Sequence, residues 1–309
     1  MSRTQFSSGP KRFILGCSLL ALGPWTIVHA ATTVDQHRPA NPQGAVEISN
    51  VAGTVDVQGW DKSEVAVTGT IGKDVERVDV TGDGNRTTIR VVLPSGLNWG
   101  SRTDSEAHLI VHVPASSSLS TSLVSADLKV AGVLGDAKLQ TVSGNVSADV
   151  GGDVRANVVS GDIKLTANSA KMIEVKAISG NIVLTGGNAE AEVTTVSGDA
   201  TVTLGTVSRA RFKAISGTLK AKLALSPDAQ FDSETVSGDV TVEFAGEPAA
   251  DFDIQSFSGG IENCFGPKPA DVRHGSGQRL TFKTGDTHAR VRISTKSGEV
   301  RMCAKGDHR

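Results

Sequence analysis

The stretch Val159-Ser160-Gly161-Asp162-Ile163-Lys164-Leu165 decides the fold, because its pattern returns down the chain. An apolar residue, a serine, a glycine and a polar residue recur as Val142-Ser143-Gly144-Asn145, Ile178-Ser179-Gly180-Asn181 and Val196-Ser197-Gly198-Asp199. They recur again as Ile215-Ser216-Gly217-Thr218 and Val236-Ser237-Gly238-Asp239, while Phe257-Ser258-Gly259-Gly260 and Lys296-Ser297-Gly298-Glu299 are frayed copies. From Gly144 to Gly259 the intervals between glycines, by subtraction of positions, are 17, 19, 18, 19, 21 and 21 residues. A fixed period near this length marks a solenoid, a propeller or an array.

Registering each copy on its glycine shows what is repeated. Two and four residues later stand apolar pairs such as Ile163 and Leu165, Ile182 and Leu184, and Val240 and Val242, with polar residues such as Lys164 and Thr241 between them. Seven and five residues before the next glycine stand Ile173 and Val175, Ala191 and Val193, and Ala210 and Phe212. Both runs have period two, so each repeat holds strands with one buried face. Turns such as Gly151-Gly152-Asp153 and Gly186-Gly187-Asn188 separate them. One repeat cannot bury its apolar face alone; stacked copies about 4.8 Å apart can. The expected fold is therefore all-β, a single-stranded β-solenoid (β-helix) with rungs of 17–21 residues, its handedness and number of sides left open. The corners Gly53, Gly144, Gly161, Gly180, Gly198, Gly217, Gly238, Gly259 and Gly298 then form a column, since glycine accepts backbone angles closed to other residues. The residue after it forms an outward column of Asp162, Asn181, Asp199 and Asp239, read as turn chemistry rather than calcium ligation, because the nonapeptide calcium spacing is missing.

Outside the array, Lys11 and Arg12 precede an apolar run from Phe13 to Val28 that ends in Val28-His29-Ala30. This reads as a secretory signal over 1–30, cleaved between Ala30 and Ala31. The apolar stretch before Cys17 is too short for a lipoprotein signal. Residues 31–45 read as a linker, 46–118 as irregular rungs forming an N-terminal cap, 119–260 as the regular repeats and 261–309 as the last rung or rungs with a cap. No second apolar run suggests a transmembrane segment in the mature chain.

Composition excludes several functions. The chain holds 31 Lys and Arg against 33 Asp and Glu, a net charge of −2, with both signs interspersed and no tyrosine. No basic stripe or aromatic platform for nucleic acid results. His108 and His112 are four apart, but Leu109, Val111 and Val113 alternate with them. On a strand the two rings stand roughly 13 Å apart, too far to chelate one ion. No nucleophile elbow, phosphate loop or metal-binding helix motif is present, so neither cofactor nor catalytic residues are assigned.

Cys264 and Cys303 each lie five residues after a repeat glycine, so equal register stacks them on adjacent rungs within disulfide reach. The 39 residues between Gly259 and Gly298 then hold either a loop, favoured by Gly266-Pro267-Lys268-Pro269, or an extra rung around Ser276-Gly277, Leu280 and Phe282.

Gly59-Trp60-Asp61 before Glu64-Val65-Ala66-Val67, together with Val113-Pro114-Ala115, the Ser-Gly-Asp repeats and Asn263-Cys264-Phe265-Gly266, resemble a bacterial family. These are the exported β-strand-repeat proteins labelled "putative adhesin", formally a domain of unknown function. The resemblance implies a β-solenoid in an exported protein and carries over no catalytic residue. Lys296 departs from the pattern by standing where the tetrad has an apolar residue, which puts the packing of the last rung in question. The expected function is an adhesin-like binding or structural module of the cell envelope, periplasmic or extracellular. Its partner, an envelope protein or a glycan, is not specified by the residues. The alternative is a β-helical lyase or hydrolase acting on extracellular polysaccharide, which would need acids clustered in a cleft.

Overall fold

A computed structural model describes residues 32–94, 104–271, 277–286 and 288–304. The expected signal at 1–30, with its cleavage site Ala30/Ala31 and Cys17, lies outside the described residues. So do positions 95–103 of the loop between the irregular strands.

The described chain is all β, without a helix. Its first part holds β1 (Thr32–Pro39), β2 (Ala45–Trp60), β3 (Glu64–Ile71), β4 (Arg77–Gly82), β5 (Arg86–Val92) and β6 (Ala107–Pro114). The regular part runs through β7 (Ser118–Val133), β8 (Ala137–Ser143), β9 (Val146–Val150), β10 (Val154–Ser160) and β11 (Ile163–Ala167). It continues through β12 (Met172–Ser179), β13 (Ile182–Gly186), β14 (Glu190–Ser197), β15 (Ala200–Ser216) and β16 (Leu219–Ser237). The last part is β17 (Val240–Phe244), β18 (Ala250–Ser258), β19 (Ile261–Asn263), β20 (Ala270–Asp271), β21 (Gln278–Thr284), β22 (Arg290–Ser297) and β23 (Val300–Ala304).

Two parallel ladders meet at the Ser-Gly corner. Before the corner, β8 pairs with β10, β10 with β12, β12 with β14 and β14 with the second half of β15. After it, β9 pairs with β11, β11 with β13 and β13 with the first half of β15. Like positions face like positions: Ile163 pairs with Ile182, and Ile182 with Ala200. Inward side chains of both ladders form one apolar core, to which Leu139, Val175, Val193, Leu165 and Leu184 belong. Aromatic residues thicken it toward the C-terminus, where Phe212, Phe231, Phe244 and Phe252 meet edge to face at 5.5, 6.5 and 6.2 Å.

The glycine column has a steric cause. Gly161, Gly180 and Gly198 have φ of 142°, 123° and 130°. A Cβ at Gly180 would stand 2.1 Å from the carbonyl oxygen of Gly161, and one at Gly198 2.1 Å from that of Gly180. Both the backbone angle and the close approach of rungs exclude a side chain.

At both ends the order in space departs from the order in sequence. β2 lies between β7 on one side and β5 and β6 on the other, all parallel to it. At the C-terminus β22 lies between β16 and β18, and β23 between β17 and β19. The chain thus lays down the outer rung first and returns to the slot it skipped. Neither expectation for the segment before Gly298 describes this. Leu280 and Phe282 belong to β21, which runs antiparallel along β18 rather than forming a parallel rung, because the chain must reverse before re-entering inside β18.

Residues 32–39, expected within a linker, form β1, which pairs antiparallel with β3 over its whole length. Its alternation was short and polar enough to read as a spacer, but its hydrogen bonds close an edge. Gln36 Nε2 donates to Val78 O at 2.9 Å and Arg38 Nε to Val80 O at 3.0 Å, so side chains of β1 satisfy carbonyls of β4, the last strand of the other ladder. Covered edges remove a template for strand pairing with other chains.

Candidate binding faces

The aspartates and asparagines that follow the corner position build backbone clamps. Asp127 Oδ1 accepts from Asn145 N at 2.7 Å, Asn145 Oδ1 from Asp162 N at 3.0 Å and Asp162 Oδ1 from Asn181 N at 2.8 Å. Asn181 Oδ1 then accepts from Asp199 N at 3.1 Å, Asp199 Oδ1 from Thr218 N at 2.8 Å and Asp239 Oδ1 from Glu299 N at 2.8 Å. One oxygen of each side chain therefore holds the next rung. Among the described residues no group of three or more His, Cys, Asp or Glu is arranged to hold a metal.

His108 and His112 lie on β6, as strand residues. His108 Nδ1 stands 3.0 Å from Thr54 Oγ1, whereas His112 stacks on Trp60 with centroids 4.8 Å apart. Lys62 Nζ lies 4.5 Å from the Trp60 ring, and the indole N–H donates to Glu64 O at 2.9 Å. The two histidines thus have separate partners.

On the outer face of the ladder before the corner, opposite charges sit on neighbouring rungs. Glu174 pairs with Arg155 across the ladder and with Lys176 along its own strand. The hydrogen bond from Lys176, and then that from Arg155, hold its carboxyl below the usual carboxylate range. Lys213 pairs with Glu234 at 3.2 Å and Arg209 with Glu190 at 3.6 Å. In the turn before β5, the backbone N–H groups of Arg86 and Asn85 lower the Asp83 carboxyl.

The outer face after the corner carries a shallow groove of about 660 Å³ that crosses β2, β7, β9 and β11 and ends at the exposed Val183 of β13. Thr54, Asp56, Lys129, Asn145, Ser147 and Lys164 line it. Lys129 and Asp56 stand 3.9 Å apart across the first two of these strands.

The first residue of each tetrad supplies a surface that the repeat reading missed. Val124, Val142, Val159, Ile178, Val196, Ile215, Val236 and Phe257 are exposed and stand at one register position, with Lys296 between Val236 and Phe257. Parity could have found this ridge. Ile173, Val175 and Ala177 point inward, so Ile178, three residues after Val175, must point out. The doubt over Lys296 is removed for the same reason: it projects outward, and Val291, Ile293 and Thr295 fill the core of that rung.

Cys264 and Cys303 are disulfide-bonded, with Cα atoms 4.9 Å apart. Asn263 pairs with Met302 in register, and Cys264 N donates to Met302 O at 3.0 Å, so the bond joins adjacent rungs.

A family model, Toastrack DUF4097, matches residues 44–302. The chain belongs to this family. The match spans the Toastrack strands from β2 to β23 and leaves β1 outside it. The chain is also similar to solved structures, among them a "putative adhesin" from Bacteroides fragilis at 9% identity and a TM-score of 0.44, covering 88% of this chain and 98% of that one. Two proteins of Parabacteroides distasonis, a "putative lipid binding protein" and a "putative adhesin", are each 12% identical, with TM-scores of 0.43 and 0.39. The first covers 87% of this chain and 96% of its own, the second 88% and 97%. No curated protein matches the sequence. No helix of the described residues is long and apolar enough to cross a membrane.

Proposed function

We propose that this Toastrack chain is an exported, non-catalytic β-solenoid that binds a polar polymer of the cell envelope. Parallel registers at intervals of one repeat support the solenoid reading. The charged and apolar leader and the Cys264–Cys303 bond support export into an oxidising compartment. The observation that carries the binding reading is the groove across β2, β7, β9 and β11. It offers hydroxyl, amide, ammonium and carboxylate groups at rung spacing on a rigid ladder. Such a row matches a ligand that itself repeats, which a glycan does. Of the carboxylates at the groove, Asp127 and Asp162 are backbone clamps that serve the fold, and Asp56 is paired with Lys129.

The test incubates purified protein with isolated cell-wall polysaccharide and sediments the polymer. The protein is expected in the pellet, and Lys129→Glu/Lys164→Glu in the supernatant. Equal retention of the two defeats the assignment of the groove, and new reducing ends or unsaturated sugars in the same tube defeat the non-catalytic reading. Intact mass of protein recovered from its native location is expected to begin at Ala31; retention of residues 1–30 rejects the cleaved leader.

A further inference from the structure

The apolar ridge at the corner remains outside this binding reading. Ile178 and Ile215 are 50% and 52% exposed, and Val142 is 50% exposed. The ridge is unbroken for seven rungs from Val124 to Val236, a length of roughly 29 Å at strand spacing. Half-exposed aliphatic side chains at this number amount to about 500 Å² of contiguous apolar surface, the size of the largest patch on a typical monomer, which is often functional. The fold does not need this surface apolar, since threonine fits an exposed strand position as well as valine does.

We propose that the ridge is the interface of a two-fold dimer, in which it packs antiparallel against the ridge of a second copy. Three features choose this occupant. The first is area. An apolar centre of about 500 Å² within a rim of ordinary polarity gives roughly 800 Å² per partner, the size of a standard stable interface. The rim is suitable, with the serines from Ser143 to Ser237 on one side and Gln140, Asn157 and Thr194 on the other. The nearby Lys213 is already paired with Glu234, and Lys176 with Glu174.

The second feature is period. Side chains recur along the ridge every ~4.8 Å, and a second copy presents the same spacing, so each knob meets a gap along the whole length. A helix with a pitch of about 5.4 Å slips out of phase by most of one step over that distance. The third is charge, which sets direction. A parallel two-fold runs along the ridge, so Lys296, which stands on the ridge itself, faces its own copy, and like charges directly opposite are destabilising. An antiparallel arrangement about Ile178 carries Lys296 past the far end of the other ridge, and Lys176, which it brings near its own copy, is neutralised by Glu174.

Sedimentation velocity of the purified protein from about 1 to 100 µM reads the dimer directly. The expected result is twice the chain mass by the middle of that range. Val159→Thr/Ile178→Thr/Val196→Thr/Ile215→Thr keeps β-branching and is expected to melt with the wild type while weakening the dimer by about 100-fold or more. A monomer at every concentration, or a dimer that the four substitutions leave intact, overturns the proposal. Flotation of wild-type monomer, but not of the variant, with phosphatidylglycerol-containing vesicles overturns it in favour of a lipid surface. For direction, Val124→Cys mixed with Val236→Cys is expected to cross-link with a short bis-maleimide faster than Val124→Cys alone; the reverse order rejects the antiparallel arrangement. None of these outcomes depends on polysaccharide binding by the groove.

Discussion

Replacing Ile182 by alanine tests the register of the whole array. Ile182 is 1% exposed, and its ladder neighbours are Ile163 and Ala200. Removing three carbons forfeits about 2.4 kcal/mol of transfer free energy, at roughly 0.8 kcal/mol per methylene. The cavity adds to this, because hydrogen-bonded rungs at fixed spacing cannot close over it and Ala200 next door is already small. A total of about 3–4 kcal/mol follows. The next residue, Val183, is 45% exposed, and Val183→Ala should cost less than about 1 kcal/mol, mainly in strand propensity. For a chain of this length each kcal/mol moves Tm by about 2–4 °C, so Ile182→Ala should melt roughly 6–16 °C lower and Val183→Ala only a few degrees lower. Thermal and urea unfolding followed by far-UV circular dichroism measure both. Equal shifts, or a larger loss at Val183, would refute the inward assignment of Ile182 and with it the parity of every rung.

Cys303→Ser should destabilise the folded chain by about 2–4 kcal/mol, since the bond closes a long loop in the unfolded state. A mild reductant should reproduce the loss in wild type and leave the variant unchanged, read by urea midpoint; an unchanged midpoint on reduction argues against the staple. Glu174→Gln should lower stability at neutral pH, because the folded-state pKa of Glu174 is depressed. A depressed carboxylate contributes stability that is present above its unfolded pKa and lost as pH falls through its folded pKa. The gap in Tm between wild type and variant should therefore close toward acid, and a gap that widens there would contradict the pairing with Lys176 and Arg155.

The middle of the molecule was legible because its information is local and repeated. Glycine fixes the corner, period two fixes the inward face, and copies one repeat apart stack, so Ile163, Ile182 and Ala200 could be aligned from the sequence alone. The staple between Cys264 and Cys303 was legible for the same reason, as both count five from a corner. The ends were not. Nothing local in β22 states that it pairs with β16 on one side and β18 on the other, because any rung of this pattern offers the same edges to either neighbour. Order in space is decided by the antiparallel strand β21, whose pairing with β18 occupies the outer position and leaves the inner slot to the returning chain. The corner ridge is legible too, although Val and Ile beside a glycine invite reading as core. Counting from Val175 to Ile178 corrects that without coordinates.

The outward column after the glycine shows how a repeat settles competing demands. Each rung needs an oxygen acceptor for the backbone N–H of the next, which aspartate and asparagine both supply. Aspartate at every rung would stack like charges about 4.8 Å apart, within the distance at which such neighbours oppose folding. In space the column instead runs Asp127, Asn145, Asp162, Asn181, Asp199, Thr218. Carboxylates therefore stand two rungs apart, near 10 Å and about one Debye length at 0.1 M salt. The acceptor is kept where the backbone needs it and the repulsion is screened. From Asp127 to Asp199 the same alternation sets an amide between successive carboxylates, whereas beyond Thr218 it ends and Asp239 stands directly beside Glu299. What the column leaves to a partner is a row of polar groups with charge diluted along it, beside the ammonium groups of Lys129 and Lys164 in the groove. That balance suits a long, weakly charged, repeating ligand better than a point charge, which is the physical reason for placing a glycan there.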